Sequence, residues 1–243
     1  AFSFKTIDGG QVDKAELEEA KRDLDERTFK QEYLATFNTY AGTVHYNFDR
    51  DKHVTPITNF DTTNLHCGID FNYDPMSVAI SVIQNNCIYF IDEINLQGSN
   101  TDDIVTEIKN RYPNSRITMY PDAAGRQRKT SAGGRTDISI LQNAGFRVNY
   151  KLSNPPIRDR VNAVNSKLKN ANGIFSMFID PKCKQIIKSL ERLQYKPNSS
   201  VIEHSGDEHM ADAVGYLTDY LYPVKKETTN KQPLRWGFSG SVR

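Results

Sequence analysis

Residues 64–95 read NLHCGIDFNYDPMSVAISVIQNNCIYFIDEIN, and this stretch decides the fold. It holds three runs rich in β-branched and apolar residues, which are Asn64–Asp70, Met76–Gln84 and Cys87–Asn95. Short turns at Asn72–Pro75 and Asn85-Asn86 separate these runs. Such runs predict strands, and tight connections join antiparallel neighbours. We therefore expect a three-stranded antiparallel meander.

Helices and strands alternate after the meander. The pattern predicts, in order, a helix at about 100–111, a strand at Ile117–Tyr120, a helix at Thr136–Ala144, a strand at Phe146–Lys151 and helices at about 157–171, 181–193 and 206–221. A helical crossover normally returns the chain parallel to the sheet. The order predicts an α/β, ribonuclease H-like fold, in which helices flank a mixed sheet of about five or more strands.

The two ends of the chain differ from this central part. Residues 1–60 are expected to form an N-terminal helix, at Val12–Asn38, and a linker that leads into the main domain. Residues 61–222 are expected to form the main domain, which has the ribonuclease H-like fold. Residues 223–243 are polar and basic, and we expect a flexible tail there.

Composition excludes several classes of protein. Lys and Arg total 31 and Asp and Glu total 30, so any affinity for nucleic acid must come from local clustering. The three cysteines are odd in number and lack CxxC spacing, which favours reduced residues rather than a disulfide framework. No apolar run reaches the ~18–20 residues that a membrane span needs, and no signal peptide is recognisable. We expect a soluble, intracellular protein.

Three separated aspartates are the main candidates for chemistry. Asp70 and Asp122 each follow a predicted strand, and Asp212 lies on the last predicted helix, at the border of its apolar face. Gly68 shares a strand face with Asp70, which suggests room for a metal and a phosphate beside the acid. Carboxylates that converge at a sheet edge repel one another unless a cation neutralises them. Their placement predicts a Mg²⁺ or Mn²⁺ site of the nuclease type. Taken alone, Asp70 could simply cap a turn, and Asp212 could be a solvated residue near the beginning of a helix.

Two further residues are weaker candidates. His209 lies one turn before Asp212 and could orient a ligand or shuttle a proton, or it could be structural. Glu93 ends the third strand of the meander and could be an additional acid, or an exposed residue at a sheet edge.

Basic residues follow Asp122 closely. The segment 124–136 contains Arg126, Arg128, Lys129 and Arg135 and no acidic residue, and its glycines predict a flexible loop. Arg158 and Arg160 could extend the same surface. We expect these residues to contact DNA phosphates, with a purely solvated loop as the alternative.

Short strings in a fixed order carry a family resemblance. They are Cys67-Gly-Ile-Asp70 with Tyr73-Asp-Pro75, then Tyr120-Pro-Asp122-Ala-Ala-Gly125, then His209-Met-Ala-Asp212-Ala213. Together they resemble the nuclease domain of the large terminase subunit of tailed double-stranded DNA bacteriophages. The upstream Phe29-Lys-Gln-Glu-Tyr33-Leu with Phe37 resembles the segment that leads into that domain from the ATPase domain. The resemblance runs from about residue 27 to residue 222.

The resemblance implies an endonuclease that binds two divalent cations and cuts concatemeric viral DNA during genome packaging. It implies Asp70, Asp122 and Asp212 as metal ligands and His209 as an accessory residue. The implied partners are double-stranded DNA, the ATPase domain of the same full-length protein, the small terminase subunit and the portal protein, all in the host cytoplasm. No G-x-x-x-x-G-K-[ST] motif occurs here, so the chain is expected to be the nuclease part alone.

Two alternatives stay open. Holliday-junction resolvases and transposases use the same fold with a similar acid cluster, and a preference for branched DNA or strand transfer would distinguish them. A DNA-clamping module that does not cut is the second alternative. It would bind DNA without metal.

Overall fold

The computed structural model describes residues 13–34, 42–127 and 135–224. Its centre is a six-stranded mixed sheet with the order β5-β4-β1-β2-β3-β6. The strands are β1 (Asn64–Asp70), β2 (Met76–Gln84), β3 (Cys87–Leu96), β4 (Arg116–Pro121), β5 (Arg147–Val148) and β6 (Met177–Ile179). This confirms the predicted α/β, ribonuclease H-like architecture.

The meander forms as predicted. Strands β1 and β2 and strands β2 and β3 pair antiparallel, and Asn85 and Asn86 adopt positive φ angles of 51° and 63° in the turn that joins β2 to β3. Strand β4 then pairs parallel to β1, so the crossover has the expected direction. Because β1 and β4 are parallel, their carboxyl ends lie at the same edge of the sheet.

Helices flank this sheet on both faces. They are α1 (Lys14–Asp23), α2 (Glu26–Tyr33), α3 (Arg50–His53), α4 (Thr101–Arg111), α5 (Asp137–Asn143), α6 (Ile157–Leu168), α7 (Lys184–Arg192) and α8 (Glu208–Leu221). The buried residues Ile104, Ile108 and Leu141 place α4 and α5 against one face. Residues of α6, α7 and α8 join the apolar core on the other face.

Two regions differ from the sequence prediction. The single helix expected at Val12–Asn38 is divided, because the side chain of Asp25 caps a second helix by accepting hydrogen bonds from the backbone N–H groups of Arg27 and Thr28. Residues 35–38 lie outside the described part. Strand β6 was not expected, and β5 is shorter than predicted.

Helix α8 lies unusually close to β1. A Cβ added at Gly68 would stand 1.9 Å from the carbonyl oxygen of Ala213, so only glycine allows this approach. The expectation that Gly68 leaves room for a metal and a phosphate was wrong, since backbone of α8 fills that space. Gly215, by contrast, has room for a Cβ at 3.6 Å from Cβ of Arg160, an ordinary contact.

The N-terminal segment packs on the rest of the molecule. The Asp25 N–H donates to Oγ of Ser166 at 3.0 Å, and the Ala171 N–H donates to the Leu24 carbonyl at 2.8 Å. Both partners belong to α6 or the turn that follows it. Among the described residues, no helix is long and apolar enough to cross a membrane. All three cysteines are free, as predicted.

Candidate active site

Strand pairing brings two of the predicted acids together. In the parallel β1–β4 ladder Ile69 is the partner of Pro121, so Asp70 and Asp122 are the next residues along neighbouring strands. Both side chains are largely withdrawn from water, with residue exposures of 9% and 8%. Two carboxylates therefore lie at the same buried edge of the sheet.

A tight loop holds Asp122 in place. Its Oδ1 accepts a hydrogen bond from the Gly125 N–H at 3.2 Å, as the cap of a 3₁₀ turn at Ala123–Arg126. A Cβ at Gly125 would lie 2.2 Å from Cε2 of Phe71, the residue that follows Asp70. Gly125 is therefore required so that the Phe71 ring can pack on the loop, and this contact ties the Asp70 and Asp122 segments together.

Helix α8, which packs on one face of the sheet, carries the third acid, Asp212. The Asp212 side chain is 34% exposed, and its Oδ1 lies 3.2 Å from Nη1 of Arg160 on α6. The Arg160 guanidinium also covers the Tyr216 ring, at 4.3 Å from the ring centroid. Asp212 thus forms an ion pair with a buried arginine.

The electrostatics of the site disfavour full ionisation. Burial, followed by the charge of Asp70, raises the pKa of Asp122 to about 6. Burial also raises the pKa of Asp212 to about 6, although Arg160 acts in the opposite direction and Asp70 adds to the increase. These carboxylates interact with one another through their charges, as expected for a cluster that lacks enough positive charge.

His209 is bound to Asp70. Its Nδ1 lies 2.9 Å from Oδ2 of Asp70, and its Nε2 lies 2.9 Å from Nδ2 of Asn72. An amide nitrogen can only donate, so this arrangement fits the neutral tautomer in which Nδ1–H donates to Asp70 and Nε2 accepts from Asn72. The hydrogen bond to Asp70 raises the pKa of His209. Once protonated, His209 would need the Asn72 amide to turn.

The acids suit a divalent cation by chemistry and by charge. Mg²⁺ and Mn²⁺ prefer hard oxygen ligands, and burial followed by the charge of Asp70 raises the pKa of Asp122, so a cation held by these acids would favour their ionised forms. Within 13–34, 42–127 and 135–224, however, no three His, Cys, Asp or Glu side chains already stand as a set able to hold a metal ion. Asp212 is turned toward Arg160, and Asp70 toward His209.

Glu93 has a structural contact at some distance along the same sheet. Its carboxylate accepts hydrogen bonds from the backbone N–H groups of Gln185 and Ile186, both at 2.8 Å, at the beginning of α7. A carboxylate at a helix N-terminus is favourable, because it satisfies otherwise unpaired donors. Glu93 is therefore not an exposed edge residue. Both of its carboxylate oxygens bind the beginning of α7 rather than pointing toward Asp70, so its role is structural.

The predicted basic residues fall into three groups. Arg126, Arg135 and Arg158 are exposed, and Arg126 also donates to the Leu152 carbonyl at 2.8 Å. Arg128 and Lys129 lie outside the described residues. Arg160 is only 6% exposed and points into the protein, so its position differs from that expected of a surface residue that contacts phosphate.

Sequence reasoning missed three contributors to the site. They are Asn72, which contacts His209, Phe71, which packs on Gly125, and Arg160 in its contact with Asp212. Adjacency to Asp70 is the only sequence signal for the first two. The pairing of Arg160 with Asp212 depends on how α6 packs on α8, and local sequence carries no signal for it.

Comparisons with known proteins agree with this architecture. No protein-family model matches the chain, and no curated protein matches it. Among solved structures, the large terminase of a thermophilic bacteriophage, in complex with ATP-γ-S, has a TM-score of 0.70 at 14% identity, over 90% of this chain and 55% of that chain. This chain therefore spans about half the length of that terminase.

Isolated nuclease domains are also similar. The P22 large terminase nuclease domain gives a TM-score of 0.56 at 11% identity, over 74% of this chain and 93% of that chain. The large terminase nuclease of the thermophilic phage G20c, with bound magnesium, gives a TM-score of 0.51 at 16% identity, over 74% of this chain and 96% of that chain. Likeness at such identities establishes the fold, and on this ground the resemblance is confirmed: the chain has the ribonuclease H-like fold of large terminase nuclease domains.

Proposed function

We propose that this chain is a terminase-type nuclease domain, a metal-dependent endonuclease that cuts concatemeric viral DNA during genome packaging. The observation that carries the proposal is the pair Asp70 and Asp122, which lie buried at the carboxyl ends of adjacent parallel strands within a terminase nuclease fold. Burial and the nearby charge of Asp70 raise the pKa of Asp122, which supports a site that a cation would stabilise.

In this proposal Asp70, Asp122 and Asp212 hold two ions of Mg²⁺ or Mn²⁺. When bound, such ions activate water and stabilise the leaving oxygen of a phosphodiester. Asp70 and Asp122 would both be ligands, because adjacent parallel strands end at these two residues. Asp212 has to turn from Arg160 or to share its carboxylate between Arg160 and an ion.

The other residues of the site hold the acidic side chains in position. The Nδ1–H group of His209 fixes the Asp70 carboxylate through one oxygen and leaves the other oxygen available as a ligand. Asn72 fixes the tautomer of His209 in turn. The packing of Phe71 on Gly125 holds the two acid-bearing segments against each other. His209 is thus a positioning residue in this proposal.

DNA and protein partners belong to the proposal as well. Exposed Arg126, Arg135 and Arg158, with Arg128 and Lys129 between the first two in sequence, supply positive charge for the DNA backbone without reading bases. The likeness to the ATP-γ-S-bound terminase extends over more of this chain than the likeness to isolated nuclease domains, which supports attachment to an ATPase domain in a full-length protein. The proposal also includes a small terminase subunit and a portal protein as partners of the full-length protein, and the host cytoplasm as its location.

Plasmid cleavage tests the function. Supercoiled plasmid should be nicked and linearised in Mn²⁺ or Mg²⁺, while Ca²⁺, with its longer and less regular bonds, should support binding with little cutting. Full cleavage by metal-free protein in EDTA would refute the proposal. Exclusive cutting of four-way junctions would indicate a resolvase, and DNA binding without cutting in every metal would indicate a clamping module.

A further inference from the structure

Arg160 is a buried charge with few partners. Its side chain is 8% exposed, and neither Nε nor Nη1 makes an aligned hydrogen bond among the described residues, so the contact of Nη1 with Asp212 is an ion pair without a hydrogen bond. A buried guanidinium is costly unless an anion lies near it. Asp212 is the carboxylate that forms an ion pair with it, at 3.2 Å, while the Tyr216 ring covers one face of the guanidinium.

The surroundings of Arg160 restrict its movement. The space beside it is a cavity of about 10 Å³, lined also by His45, Gly215 and Asp212, which is room for about one water molecule. A histidine side chain supplies no negative charge, and burial lowers the pKa of His45 to about 3, which keeps this imidazole neutral. Asp212 is the acidic residue that lines this cavity, so the cavity offers the guanidinium no other anion among the described residues.

The position of Arg160 bears on cation binding. The same carboxylate that would bind a divalent ion already neutralises a fixed positive charge, and like charges a few ångströms apart repel strongly in a partly buried site. The geometry points to Arg160 as an internal counter-cation that orients Asp212 and competes with the divalent cation for it. This inference rests on the proposed function of the cluster. It adds Arg160 as a residue that sets the concentration of divalent cation at which the site is occupied.

The first test needs no metal and no DNA. Melting temperatures in EDTA are measured for the full chain, Arg160→Met, Asp212→Asn and the double variant. Asp212→Asn leaves a buried cation unpaired but also removes a buried negative charge, so its own effect on the melting temperature combines two opposite contributions. In the Asp212→Asn background, Arg160→Met should raise the melting temperature, whereas in the wild-type background the same change should lower it. Effects that simply add would overturn the pairing.

The second test measures binding of Mn²⁺ alone, from the electron paramagnetic resonance signal of free Mn²⁺. Arg160→Met should bind Mn²⁺ about tenfold more tightly than the wild type, and Arg160→Lys, which keeps the charge, should remain close to the wild type. Arg158→Met is the matched control, since Arg158 lies on the same helix, is half exposed and forms its ion pair with the neighbouring Asp159. It should leave the affinity unchanged.

The outcomes separate this inference from the nuclease proposal. Unchanged or weaker Mn²⁺ binding by Arg160→Met would overturn the competition, as would an equal gain in Arg158→Met. Binding by neither the wild type nor Arg160→Met would overturn it as well. Failure of the plasmid assay with tighter Mn²⁺ binding by Arg160→Met would refute only the nuclease activity.

Discussion

At the scale of single residues, the three aspartates are no longer equivalent. Asp70 and Asp122 share a buried strand edge, while Asp212 compensates Arg160. We expect Asp70→Asn and Asp122→Asn each to lower the rate of DNA cleavage about 10³-fold or more, because an amide is a poor ligand for a hard cation. Both should melt at or above the wild-type temperature in EDTA. Cleavage assays paired with thermal melts check this, and a lower melting temperature with activity retained would show the residue to be structural.

The pH dependence follows from the raised pKa values. Asp122 and Asp212 titrate at about 6 in the folded chain and at about 3.9 when unfolded, so the folded state binds more protons over this window. Stability in EDTA should therefore fall as the pH rises from about 4 to about 7. The raised pKa of His209 acts in the same direction. The slope between pH 5 and 7 should be smaller in Asp122→Asn, and an unchanged slope would contradict the assignment.

His209→Ala tests positioning. The imidazole holds one oxygen of Asp70 and does not touch the other acids through any hydrogen bond among the described residues. Cleavage should fall by about 10–100-fold, less than for either aspartate, as is typical when a residue that orients a ligand is lost. His209→Gln can donate to Asp70 from its amide and should recover part of the rate. A loss equal to that of Asp70→Asn would mean that His209 acts directly.

The sequence predicted these acids because strand ends are visible in local pattern. A run such as Leu65–Asp70 shows where its strand stops, and two parallel strands must bring their ends together. The surroundings were not predictable in the same way. Whether Glu93 faces Asp70 or the beginning of α7 depends on tertiary packing, and so does the burial of Arg160.

At the scale of elements, the contact of α8 with β1 is the critical one. Gly68→Ala would put a Cβ 1.9 Å from a backbone oxygen, so α8 must move and carry Asp212 with it. We expect a loss of about 3 kcal/mol, or roughly 10 °C in melting temperature, together with lost cleavage.

Gly215→Ala is the matched control, since it adds the same methyl group to α8 where space is available. It should be neutral or stabilise the fold by up to about 1 kcal/mol through helix propensity. Thermal melts of both variants check the pair. Equal destabilisation by the two changes would contradict the close approach at Gly68.

Short elements explain most differences between sequence and structure. Strand β6 has three residues and β5 has two, which is too few for a two-residue period to stand out. The break at Leu24–Asp25 was hidden by continuous charge pairing along α1 and α2, and Asp25 became recognisable as a cap only through its contacts with Arg27 and Thr28. Longer elements such as β2 and α4 were predicted to within a residue or two.

At the scale of the whole molecule, the proposed function requires DNA to reach a negative site on a chain of almost balanced charge. The basic residues that follow Asp122 are the proposed route. Replacing Arg126, Arg128 and Lys129 with Ala should weaken binding alike for every sequence and reduce the slope of log K against log salt by about 0.9 per lost phosphate contact. Filter binding over a salt series checks this. An unchanged slope would move the DNA path toward Arg158 and the residues near it.

The central claim is that Asp70 and Asp122 form a shared divalent-cation site, and anomalous diffraction from crystals soaked in Mn²⁺ tests it most directly. We predict a strong Mn²⁺ peak within about 2.0–2.3 Å of oxygens from both carboxylates, and we expect this peak to be lost in Asp122→Asn. No peak between Asp70 and Asp122, with Mn²⁺ bound elsewhere on the chain, would contradict it.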